Sequence, residues 1–198
     1  MKFSKGDKTH TGVTESAGYE LYSATINFQL FRRTLWECRI KGWRSESREL
    51  RLVLYQSYME FVRGLYEFYL AIAKWEYGNT KLPSDVKADW VMVDAAQRLV
   101  NFYRPLRQHY DPRFNEPVPQ EFGFHFRQLR NRVTHADYRT MTPDLENQTV
   151  SPSAFYKRFD IYVTLMLQHP QLAWGEEHFQ NTYEWRAVDD FISGLKTI

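Results

Sequence analysis

An all-α fold, an up-and-down bundle of five or six helices, is predicted by three features of the 198-residue sequence. Apolar residues recur at steps of three and four, the period of a helix with one buried face. Proline-bearing stretches such as "DPRFNEPVPQ", residues 111–120, separate the periodic segments. No strand-like alternation of useful length competes with these patterns, and neither an internal repeat nor a low-complexity tract is found.

The elements follow in order. Residues 1–22 mix Lys, Gly, Thr and Ser without a period and read as a flexible N-terminal arm, leaving 23–198 as a single helical domain. Asn27, Leu30, Phe31, Thr34, Leu35 and Cys38 then step along a first helix that Gly42 is placed to stop as a left-handed cap. Leu50, Leu54, Tyr58, Phe61, Leu65, Phe68, Ile72 and Trp75 mark the central helix, which ends at Gly78. Pro83 and Ser84 are predicted to open a third helix through Val86, Trp90, Val93, Gln97 and Val100, with Pro105 late in it. A fourth runs from about residue 120 to 139. Ser151 as N-cap and Pro152 in the first turn open a fifth, through Phe155, Phe159, Tyr162, Val163 and Met166, and Pro170 ends it. A last amphipathic segment runs through Trp185, Val188, Phe191, Ile192 and Leu195.

Composition narrows the class. With 17% aromatic residues, the core is predicted to be packed with rings. A net charge of +2 argues against a surface coated in basic residues. The single cysteine, Cys38, excludes an intramolecular disulfide and a zinc site built on two thiolates, and is expected to be a small core residue. No apolar run approaches the ~18 residues that cross a bilayer, and the first twenty residues are polar rather than signal-like. The expected compartment is the cytoplasm, with no membrane partner. His109, His169 and the run from Glu176 to His178 lack the spacing of a metal site, so neither metal nor cofactor is expected.

The fourth helix carries the chemistry. At about 100° per residue, Phe122, Phe126, Leu129, Val133 and Ala136 share one core-facing arc. Arg127, Arg130, Asn131, Thr134, His135, Tyr138 and Phe124 lie on the other side, and Arg132 and His125 sit at the margin, where a structural role is expected. The plain reading is an ordinary wet face. Two features argue against it: no acid occurs from residue 122 to 136 to offset the arginines, and Phe124 and Tyr138 stand beside those cations. Arg127 and Arg139 flank the group, suiting phosphate contacts.

The segment "RNRVTH", residues 130–135, resembles the signature of the HEPN family of small helical domains: an arginine, a polar residue, a short spacer and a histidine. Its position on a late helix, after a long central one, agrees with that family. The resemblance implies a metal-independent endoribonuclease of toxin or anti-phage defence type, acting as a homodimer and held silent by a nucleotidyltransferase-type antitoxin. Arg130, Asn131 and His135 would be catalytic, and Arg127, Thr134, Tyr138 and Arg139 would contact RNA. The chemistry suits these residue types. A histidine exchanges protons near neutral pH, as attack by a ribose 2′-hydroxyl requires. A guanidinium holds two phosphoryl oxygens as their charge develops. Arg130 and His135 stand about 7.5 Å apart along a helix axis and about 140° around it, so two copies facing each other would join one chain's arginine to the other's histidine.

Two further readings compete. One is a catalytically inactive helical module that binds nucleotide or nucleic acid or mediates assembly; the other is a DNA-directed regulator with salt-dependent duplex binding. A second basic stretch, Arg98, Arg104, Arg107 and Arg113 with interleaved aromatics, has the composition of a single-strand platform, although its ring spacing fits a helix core better.

Overall fold

A computed structural model describes residues 8–42, 47–134 and 151–174, together with 192, 193 and 195. Among the described residues the fold is an all-α up-and-down bundle built on six helices: α1 (Lys8–Lys41), α2 (Arg48–Glu76), α3 (Ala88–Arg107), α4 (Glu121–Thr134), α5 (Pro152–Gln168) and the short α6 (Gln171–Trp174). One 3-10 turn, Pro112–Phe114, lies between α3 and α4. No strand occurs among the described residues.

The caps follow local chemistry. The Ser47 hydroxyl accepts from the Leu50 N–H at the start of α2, and the Ser151 hydroxyl accepts from the Ala154 N–H at the start of α5, with Pro152 in the first turn as predicted. Gly42 and Gly78 adopt φ of 77° and 63°, the left-handed conformation that glycine takes without a Cβ clash. At Gly78 the Asn79 N–H reaches the Lys74 carbonyl and the Gly78 N–H reaches that of Trp75, closing α2 with a Schellman motif.

Two boundaries differ from those read in the sequence. Helix α1 begins at Lys8, so most of the stretch read as a flexible arm is helical; residues 1–7 lie outside the described residues. Small residues explain the difference, because Ala17 and Ala24 are buried and Gly64 of α2 lies against Ala24 and the Glu20 carbonyl. A close helix contact made by Ala and Gly leaves little hydropathy signal. Helix α3 begins at Ala88 rather than at Pro83, since the Val86 N–H bonds the Pro83 carbonyl in a separate turn. The last amphipathic segment lies largely outside the described residues, although Ile192 and Leu195 are helical and exposed.

Helices α1 and α2 form an antiparallel hairpin, as the ring pairs Phe28–Phe61 (4.8 Å) and Phe31–Tyr58 (4.9 Å) show: positions fall on one helix as they rise on the other. Helix α5 runs parallel to α2, with Tyr156 against Tyr58 and the Tyr69 hydroxyl donating to the Met166 carbonyl at 2.8 Å. Between them sits α4. Its Phe122 meets Phe155, Phe159 and Tyr162 at 5.5 to 6.1 Å between centroids, and its Phe126 meets Tyr66 edge-on at 5.2 Å. The core is therefore built of rings, each fully buried Phe contributing about 1.5–3 kcal/mol of transfer free energy. Cys38 is buried in the core.

Gly123 seats α4. A Cβ at this position would lie 2.1 Å from the Asp89 carbonyl oxygen, so the two backbones touch with no room for a side chain. Gly123→Ala is expected to lower stability by about 3 kcal/mol or more, because the obstacle is backbone rather than a side chain that can turn aside. Gly12→Ala, with open space around it, should be neutral or stabilising by up to about 1 kcal/mol. Urea denaturation of both variants checks the contrast.

On the hairpin, Glu20 faces Arg63, yet burial pushes its carboxyl above the ordinary value, outweighing the pull of Arg63; Glu67 and Glu60 add to the rise. A carboxyl whose folded pKa is raised costs no stability while both states are protonated and costs progressively more as pH rises toward the folded value. Glu20→Gln should therefore match the wild type at about pH 4 and below, near the ordinary carboxylate value, and be the more stable protein at neutral pH. Urea midpoints across that range test the sign.

Candidate functional site

Helix α4 turns its polar side toward α2 and α3, and those two helices supply what α4 lacks. Arg127 donates from Nε to Asp89 Oδ1 at 2.7 Å and from Nη2 to Oδ2 at 3.0 Å, a two-pronged bond to the first turn of α3. The bond to Asp89 raises the Arg127 pKa and keeps the side chain charged. Arg130 pairs with Glu67 of α2 through Nε, and its Nη1 donates to Asn131 Oδ1 at 3.0 Å. Two of the arginines that stood without an acid in the sequence, Arg127 and Arg130, are thus compensated across helices.

Tyr66 lies between the two pairs. Its ring is buried, with the Arg130 guanidinium 6.0 Å from the centroid. Burial pushes its phenol up to about 12, with Asp89 adding and Arg127 and Arg130 opposing, so it is neutral at physiological pH. Phe124 remains 40% exposed beside these groups, with the Arg127 guanidinium 5.4 Å from its ring.

Of the residues read as site residues, the structure brings Arg127, Arg130 and Asn131 onto one side of α4, and Thr134 is the last described residue of that helix. His135, Tyr138 and Arg139 lie outside the described residues. Phe122, Phe126 and Leu129 form the buried stripe, and Val133 packs partly buried against the core. Three members were missed by sequence reasoning: Tyr66, Glu67 and Asp89. A signal existed for Glu67, the one charged residue between positions 64 and 73 of an otherwise apolar and aromatic run.

The second basic stretch is differently used. Arg113 is held by Asp111 and Asp160, Arg98 by Asp94, and Arg104 Nε donates to the Phe114 carbonyl at 2.8 Å. Phe114 is buried, so this stretch serves the core more than an open platform. Among the described residues no group of three or more His, Cys, Asp or Glu side chains is placed to hold a metal ion. No described helix is long and apolar enough to cross a membrane.

Compared with known proteins, the chain matches no family model, no curated protein and no solved structure. What stands is a small all-helical domain consistent with the HEPN-like fold class, carrying two inter-helix ion pairs on the polar side of α4.

The Arg130 and Glu67 side chains are 26% and 21% exposed, a burial at which a charge-assisted pair exceeds a surface bridge but is screened relative to the interior. A double-mutant cycle of Arg130→Ala and Glu67→Ala, read by urea denaturation, should give a coupling of about 1 kcal/mol. Additive losses would show that the pair carries no specific energy.

Proposed function

We propose that this protein is a HEPN-like, metal-independent endoribonuclease of toxin or anti-phage defence type, with its site formed across a homodimer. The observation that carries the reading is the fixed guanidinium of Arg130, oriented by Glu67 and Asn131 on a rigid helix directly before the motif's histidine. Rigid, partly desolvated guanidinium groups are what a phosphoryl transition state needs, because they stabilise developing charge without reorganising. In the proposed step the ribose 2′-oxygen bonds to phosphorus as a histidine removes its proton. The bond from phosphorus to the 5′-oxygen then breaks, and that oxygen is protonated. The products are a 2′,3′-cyclic phosphate and a 5′-hydroxyl. His135 moves the protons, Arg130 holds the equatorial oxygens, and Arg127, Thr134, Tyr138 and Arg139 line the RNA path.

Attack by a 2′-hydroxyl makes DNA inert as substrate. The exposed Phe124 ring beside the arginines supports a second protomer or RNA on this side of α4. A nucleotidyltransferase-type antitoxin is the partner proposed to silence it. One observation favours the alternative, a catalytically inactive helical module. Arg127 and Arg130 are both already tied to carboxylates of neighbouring helices, an arrangement that would serve packing without any chemistry.

Cleavage of total tRNA and of labelled single-stranded RNA in EDTA decides between them. The wild type should produce 2′,3′-cyclic ends, and Arg130→Ala and His135→Ala should each lose about 10²-fold or more. Equal activity in all three proteins would remove this site, and inactivity in all three would favour the helical module.

A further inference from the structure

A groove of about 530 Å³ opens between α1, α2 and the end of α4. Leu30 of α1, Val53 of α2 and Val133 of α4 supply apolar lining, and Tyr55 adds an aromatic ring that is 37% exposed. Its size is that of a small-molecule site, in which a few polar groups fix the orientation of a ligand held mainly by apolar contact.

The polar groups are unequal. Arg127 and Arg130, outside the groove, have carboxylate partners, but Arg132, half-buried and lining the groove, has no ion pair or hydrogen bond among the described residues. A partly desolvated guanidinium left unpaired favours an anionic ligand. On the α2 side, Glu60 binds Arg63 through Oε2 at 2.8 Å, which leaves its Oε1 to accept, and the Gln56 amide lies beside it. A carboxylate near Arg132 disfavours a ligand that is anionic throughout. The combination requires one anionic group, a flat apolar body and an edge carrying N–H donors.

We infer that this groove binds a nucleotide, with its phosphate on Arg132, its base against Tyr55 and Val53, and N–H groups of the base donating to Glu60 and Gln56. Guanine, which presents two adjacent N–H donors, fits this edge better than uracil. The inference deepens the ribonuclease reading by supplying a subsite for a nucleotide of the substrate, and it reassigns Arg132 from packing to ligand binding.

Calorimetric titration with guanosine 3′-monophosphate and uridine 3′-monophosphate tests it without requiring cleavage. The guanosine nucleotide should bind more tightly. Its affinity should fall about tenfold or more in Arg132→Ala, be partly restored in Arg132→Lys, and vanish in Val53→Trp, which fills the groove. Arg98→Ala, on a different surface and paired with Asp94, should bind as the wild type does. Urea midpoints within about 1 kcal/mol of wild type would show that the variants are folded. No binding, or binding unchanged in both Arg132→Ala and Val53→Trp, overturns the proposal, and equal affinity for the two nucleotides overturns the role of Glu60. A protein that binds nucleotide here but cuts no RNA keeps the groove and loses the ribonuclease. One that cuts RNA through Arg130 and His135 with an empty groove does the reverse.

Discussion

The contact of Gly123 with the Asp89 carbonyl holds α4 and its polar side in place. Packed helix axes ordinarily stand about 8–10 Å apart, kept there by side chains, and at this point nothing but backbone intervenes. The close approach lets one turn of α4 face two ways. Phe122 and Phe126 reach the rings of α5 and α2, while Arg127, one turn on from Gly123, meets the Asp89 carboxylate with both prongs. A side chain at position 123 would lift α4 and separate both sets of partners together.

From that seat the charges organise around α2. Glu60, Arg63 and Glu67 lie along one side of it and serve two neighbours, Arg63 meeting Glu20 of α1 and Glu67 meeting Arg130 of α4. These pairs differ in balance. At Glu20 desolvation outweighs the attraction of Arg63, so the raised carboxyl marks a local cost of bringing α1 close. At Arg127 the two hydrogen bonds to Asp89 outweigh burial, and the guanidinium is held firmly charged. Of these two pairs, the one on α4 is the more favourable.

Much of this was legible in the sequence wherever a residue acts through its own helix. Ser151 and Pro152 announce the start of α5, Gly42 and Gly78 stop α1 and α2, and the arc of Phe122, Phe126 and Leu129 is the buried side of α4. Legibility failed where small residues make the contact. Ala17 buries little area, so the first fifteen residues of α1 carry no strong apolar period although the Glu20 carbonyl lies against Gly64 of α2. It failed again at Pro83, whose turn chemistry serves a connection rather than the first turn of α3.

The sequence by itself determined the class of fold, the order of its major helices and which side of α4 is apolar and buried, because these depend on periodicity and on caps a few residues long. Tertiary structure alone decided what each arginine of that helix does. Asp89 lies 38 residues from Arg127 and Glu67 lies 63 from Arg130, while Arg132 is left facing a groove. Ion pairing acts through space, and only the packing of α4 on α2 and α3 sets which carboxylate stands within reach of which guanidinium.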